Sequence, residues 1–84
     1  VARVVVRYWA GAREAAGVEQ EPVDAATLAG ALDEVTHRRG ERLATVLRRC
    51  AFLLDDEPVG RRDPATVPLR EGAVVEVLPP FAGG

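Results

Sequence analysis

Residues 69–84 read LREGAVVEVLPPFAGG, and how this stretch is parsed decides the architecture. Leu69-Arg70-Glu71-Gly72 ends in a turn, after which Ala73, Val75 and Val77 alternate with Val74, Glu76 and Leu78. Alternation of period two marks a strand with one buried face, so the first set is expected inward and the second outward. Pro79 and Pro80 have no N–H to give a ladder and favour an extended exit. Phe81, Ala82, Gly83 and Gly84 follow. The expectation is a folded body over residues 1–78 whose last strand feeds a flexible tail, 79–84, ending in Gly-Gly.

Working outward, VARVVVRYW (1–9) alternates in the same way. Ala2, Val4, Val6 and Tyr8 point inward, while Arg3, Val5, Arg7 and Trp9 share the solvated face. AGAREAAG (10–17) is expected to form one helical turn. VEQEPV (18–23) reads as a polar edge strand, because Pro22 is awkward in a central one. TLAGALDEVTHRRG (27–40) is a helix, with Thr27 as N-cap, Leu28, Ala31, Leu32 and Val35 at helical spacing, and Arg38-Arg39 at the negative end of the dipole. ERLATVLRRC (41–50) repeats that spacing in a second, shorter helix. CAFLLD (50–55) is a compact apolar strand, and DDEPVGRRDP (55–64) is turn-rich, with Val59 placed in a short strand. A sheet with one main helix laid across its inner face is an α+β two-layer domain. If the first and last strands are neighbours, Arg3 or Arg7 faces Glu76, and Trp9 and Leu78 share one exposed surface.

Composition narrows the chemistry. Hydrophobic residues make up 48% and charged residues 29% of 84 positions, the balance of one globular domain and not of a disordered chain. No apolar run has the length of a membrane span, and no signal-peptide pattern opens the chain. A lone cysteine cannot form an internal disulfide, which fits a cytoplasmic location. Net charge is −2, so nucleic acid is not an expected partner. Serine, lysine, asparagine, methionine and isoleucine are absent, which removes a serine nucleophile and a lysine Schiff base. His37 stands alone at a helix end without clustered ligands, so neither a base nor a metal site is expected there. Cys50 continues an apolar periodicity and reads as a structural thiol. Asp55-Asp56-Glu57 lacks calcium-loop spacing and reads as a hairpin turn. Arginine pairs at 38-39, 48-49 and 61-62 hint at an anionic partner, but acidic residues are interspersed among them. Trp9, outward beside Leu78 and followed downstream by Phe81, has the makeup of an interface anchor.

With no internal constellation, the chemistry falls to the tail. A terminal carboxylate has a pKa of about 3.3–3.7, so at neutral pH it is an anion and a poor electrophile until another protein activates it, typically as an acyl-adenylate. Two glycines pass through a narrow channel where side chains clash. The prolines before them project the tail and limit the entropy lost on docking.

Four segments together are similar to one family: VRYWAGAREAAG (6–17), TLAGALDEV (27–35), CAFLLDDEPV (50–59) and LREGAVVEVLPPFAGG (69–84). The chain resembles the ubiquitin-like β-grasp sulfur carriers of the MoaD/ThiS family, within it the small subunit of molybdopterin synthase. The resemblance implies a β-grasp fold with a mixed sheet and no catalysis by the chain itself. It implies that an E1-like adenylating enzyme (MoeB type) uses ATP and magnesium to convert the Gly84 carboxylate to an acyl-adenylate. A sulfur donor system then replaces AMP, leaving a Gly84 thiocarboxylate. The tail, Pro79, Pro80, Phe81, Ala82 and Gly83, threads into the large subunit of molybdopterin synthase (MoaE type). There sulfur passes to cyclic pyranopterin monophosphate. Family contacts with these partners map to Trp9, Val59 and Leu78. The chain departs from the family's usual Val-Asn at Asp55-Asp56. Two other readings remain: a carrier serving thiazole, cysteine or another sulfur metabolite, and a ubiquitin-like conjugation or interaction module that never carries sulfur.

Overall fold

A computed structural model describes residues 1–80. Its elements are β1 (Ala2–Tyr8), α1 (Ala10–Ala16), β2 (Gln20–Ala25), α2 (Leu28–Arg39), α3 (Glu41–Leu47), β3 (Ala51–Leu54), β4 (Glu57–Pro58) and β5 (Val74–Leu78), with a 3-10 turn at Pro64–Thr66. The strands form one sheet in the order β2-β1-β5-β3-β4. The first and last strands are central neighbours and run parallel, with Val6 beside Val75 and Tyr8 beside Val77. The other pairings are antiparallel.

The inner face is apolar because parity makes it so. Val4 and Val6 of β1, Val23 of β2 and Val75 and Val77 of β5 are buried, and Leu28, Ala31 and Val35 of α2 close over them. Burial of a side chain the size of Leu28 or Val35 contributes about 1.5–3 kcal/mol each. The start of α2 is fixed twice. The Thr27 hydroxyl accepts from the Gly30 N–H at 3.1 Å, and the Leu28 N–H donates to the Val67 carbonyl at 2.9 Å. Gly40, at φ 93°, turns the chain directly from α2 into α3 in a conformation that disfavours side chains. Leu43 and Leu47 then anchor α3.

Pro22 does lie in an edge strand, so its missing N–H interrupts no central ladder. Two expectations need correction. AGAREAAG forms the seven-residue helix α1, about two turns, because Ala12 and Ala16 both find cover in the core. Val59 is not in β4; it follows Pro58, and its N–H donates to the Phe52 carbonyl at 2.9 Å. The β3–β4 connection is a two-residue turn, with Asp55 at φ 49° and Asp56 at φ 70°. Positive φ at both central positions belongs to the turn whose twist matches its strands, and aspartate tolerates it.

Candidate functional site

The outer face of the sheet holds two of the residues expected to meet partners, Trp9 and Leu78. β5 carries Val74, Glu76 and Leu78 outward, all half-buried. On one side Leu53 of β3 stands opposite Glu76, and Ala51 opposite Leu78; Pro58 flanks Leu53 from β4. On the other side Val5 pairs with Val74 and Arg7 with Glu76. This makes an apolar strip over β5, β3 and β4 with one carboxylate in its middle.

Trp9 completes the strip. Its backbone N–H donates to the Val77 carbonyl at 3.1 Å, extending the β1–β5 ladder by one residue. Its indole Nε1–H donates to Glu76 Oε1 at 3.1 Å, which holds the ring on the outer face. The side chain remains 45% exposed, the only large hydrophobic besides Val1 so exposed among the described residues. Trp9 and Leu78 are thus outward residues at the same end of adjacent central strands, as parity requires. Immediately beyond Leu78 the chain leaves the sheet at half-buried Pro79 and exposed Pro80. Phe81, Ala82, Gly83 and Gly84 lie outside the described residues.

The β1–β2 half of the face is self-sufficient. Arg3 makes a two-point contact with Asp24, Nε to Oδ1 at 3.0 Å and Nη2 to Oδ2 at 3.3 Å. Hydrogen bonding from Arg3 holds the Asp24 carboxyl below its usual range, against a smaller opposing push from desolvation. Arg7 is the register neighbour of Glu76, as expected, but its Nε–H donates to Gln20 Oε1 at 3.2 Å, so the two side chains bond in different directions.

Val59 does not share this surface. It is 3% exposed and packed in the core, so its side chain is not part of the outer face, unlike Trp9 and Leu78. The short strand that was to display it ends one residue earlier. His37 is exposed on α2. Cys50 is half-buried, donates from Sγ to the Val46 carbonyl at 3.2 Å, and has its pKa raised by burial, the surroundings of an inert thiol. Among the described residues no group of three His, Cys, Asp or Glu side chains could hold a metal. Nor is any helix among the described residues long and apolar enough to cross a membrane.

One constellation escaped the sequence reading. Glu21, on the inward face of β2, is 5% exposed. It accepts from the Tyr8 hydroxyl at 2.5 Å, from Arg39 through Nη2 at 2.8 Å and Nε at 3.3 Å, and from Arg38 Nη1 at 3.0 Å. Burial is the largest single influence on this carboxyl and pushes its pKa up, yet the bonds from Arg39, Tyr8 and Arg38 together outweigh it and hold the group below its ordinary value. The arginine pair at 38-39 is therefore engaged with the protein's own carboxylate. The available signal was parity: with Val23 and Ala25 inward, Glu21 must be inward too.

Comparison with known proteins gives the site a context. The model of the ThiS family matches residues 6–84. No curated protein matches the chain. Among solved structures, the solution structure of small archaeal modifier protein 1 from Methanosarcina acetivorans superposes with a TM-score of 0.86 at 22% identity, covering 99% of this chain and 97% of that one. A chain of the complex of subunits 1 and 2 of molybdopterin-converting factor from Helicobacter pylori is 30% identical, with a TM-score of 0.70 and coverage of 98% and 99%. A chain of the BexX/CysO complex from Amycolatopsis orientalis gives 0.80 at 23% identity, over 96% and 99%.

Proposed function

The chain belongs to the ThiS family of small ubiquitin-like sulfur carriers, and from that premise we propose that Gly84 is its working group and that the β-grasp body exists to present it. The observation that carries this reading is the placement of β5. The strand that ends in Pro79-Pro80 is central in the sheet, and it leaves the domain beside Trp9 and Leu78. A partner gripping the outer face thereby controls the tail.

In this reading a separate adenylating enzyme binds ATP and magnesium. The Gly84 carboxylate attacks the α-phosphorus, pyrophosphate leaves, and an acyl-adenylate forms. A sulfur donor system supplies the nucleophile that displaces AMP, leaving a thiocarboxylate. Sulfur is the stronger nucleophile of the two atoms, so the charged tail delivers it in a second complex. We assign that second partner to the large subunit of molybdopterin synthase, with cyclic pyranopterin monophosphate as acceptor. The support is the 30% identity, over nearly the whole chain, to a component of a two-subunit molybdopterin-converting factor. Catalysis belongs to the partners. This chain contributes docking through Trp9 and Leu78, projection through Pro79-Pro80, and the acyl group.

The test is intact-mass measurement after incubation with the adenylating enzyme of the same organism, Mg-ATP and a sulfur donor. The expected product has one oxygen replaced by sulfur, and deletion of Gly84 abolishes it. An unmodified chain with an enzyme proven active on ATP defeats the carrier reading, as does a natural polypeptide that continues untrimmed past Gly84. Sulfur transfer to a thiazole or cysteine precursor, with none to the pyranopterin, keeps the carrier and replaces the pathway.

A further inference from the structure

We propose that the adenylating partner places an arginine against Glu76, donating to its free oxygen while packing on the neighbouring ring of Trp9. This rests on the docking role given above to the outer face, and it names the chemistry of that contact.

Glu76 is the one anion set within the apolar strip. Its strand neighbours on this face are Val74 and Leu78, and Leu53 stands opposite it on β3. Oε1 accepts from the Trp9 indole. Among the described residues, no guanidinium lies within salt-bridge distance of either oxygen. The nearest candidate by register, Arg7, sends its Nε–H to Gln20 on the β2 side. Asp24, the carboxylate on the β1–β2 half of this face, is already paired with Arg3. While the face is open to water, Glu76 needs no cation. Once a partner covers Val74, Leu78 and Leu53, the carboxylate is desolvated, and leaving its charge unpaired there is strongly unfavourable. A partner that binds this face must therefore bring positive charge to Oε2.

Trp9 decides which cation fits. Its half-exposed ring is bonded edge-on to Glu76 Oε1, so a group that reaches Oε2 also comes within packing distance of the indole. A planar guanidinium satisfies both, donating one N–H to Oε2 while stacking on the indole. An ammonium makes only a point contact. Arginine is also the cation that interface centres favour.

The test separates charge from shape. Glu76→Gln keeps an oxygen to accept from Trp9 and removes only the charge; Glu76→Lys reverses it; Trp9→Leu removes the stacking surface. Binding of each to the adenylating enzyme is measured by calorimetry at low and high salt, alongside thermal melts and thiocarboxylation of the unaltered chain. Glu76→Gln is expected to weaken binding about tenfold and to flatten its salt dependence, with Glu76→Lys weaker still. The loss on Glu76→Gln should shrink when Trp9 is already leucine, since both side chains hold the same group. If the unaltered chain is thiocarboxylated and Glu76→Gln binds as tightly as it does, the inference falls while the carrier reading stands. If the unaltered chain neither binds nor gains sulfur, the carrier reading fails and takes this contact with it. A structure of the complex with an apolar or acidic partner group on Glu76 also overturns it.

Discussion

Glu21 and Glu76 are both glutamates on strands of one sheet, and their surroundings are opposite. Glu21 faces the helices, is almost fully buried, and receives a phenol and two guanidinium groups from its own chain. Glu76 faces away from them, is half-buried, and receives a single indole N–H. A charge on the inner face must be satisfied during folding, because no water or partner reaches it afterwards. One on the outer face can stay unneutralised until something docks. The inner face is thus closed in its chemistry, and the outer face keeps a carboxylate with no cation beside it among the described residues.

Substitution at Glu21 is expected to cost the most. Its replacement by alanine strands the Tyr8 hydroxyl and leaves Arg38 and Arg39 without their shared partner, so the expected cost is about 3 kcal/mol. For a domain of this size that lowers the melting temperature by more than about 10 °C. Chemical denaturation should show it, with Glu76→Ala as the reference. Equal losses for the two would end the distinction drawn here.

Titration sharpens the same contrast from both sides. The Glu21 carboxyl has its folded pKa held below the ordinary 4.5. Its contribution is therefore complete above that ordinary value and is lost as pH falls through the lower folded one. The stability gap between the unaltered chain and Glu21→Gln should close in acid and stay open at neutral pH. Tyr8 responds at the other end. Burial first, then its bond to Glu21, raise its pKa above the ordinary 10.0. Stability linked to the neutral phenol is complete below pH 10.0 and declines as pH rises toward the folded value. Tyr8 is the only tyrosine in the chain, so the tyrosinate absorbance reports on it alone. It should appear only in step with unfolding; a free titration near the ordinary value would place the phenol outside the network.

Asp55 lies between these extremes. It is exposed, yet its Oδ1 accepts from the Val74 N–H at 2.9 Å while its own N–H donates to the Val74 carbonyl at 2.9 Å. The turn therefore clamps the first residue of β5. Asp55→Ala removes a charged acceptor from a backbone donor and places alanine at positive φ. A loss of about 1–2 kcal/mol is expected in denaturant melts. Asp55→Asn, which accepts the same bond and tolerates the same φ, should recover most of it.

Much of this was legible beforehand, for a definite reason. Strand parity in VARVVVRYW and AVVEVL depends only on backbone geometry, so Tyr8 inward and Trp9 and Leu78 outward followed without any tertiary knowledge. The N-cap at Thr27 and the hairpin at Asp55-Asp56 are likewise local. The burial of Val59 was not legible, because it depends on how the chain from 59 to 69 folds back against α2, through contacts such as Leu28 N–H to the Val67 carbonyl at 2.9 Å. Glu21 was missed because its partners come from the far end of another element. Arg38 and Arg39, expected to complement the helix dipole, are drawn inward by a carboxylate 17 and 18 positions upstream.

The smallest effect is expected at Glu76, on the outer face. Glu76→Gln should leave folding stability within about 0.5 kcal/mol of the unaltered chain, since no intramolecular ion pair is lost and the acceptor for Trp9 persists. Trp9 is the only tryptophan, so its emission reports that bond directly. It should barely change in Glu76→Gln and should shift in Glu76→Leu, where the indole N–H must turn to water. A large destabilisation by Glu76→Gln would mean that the carboxylate's charge already serves the fold. The outer face would then be as self-contained as the inner one, and a partner would have no charge there to answer.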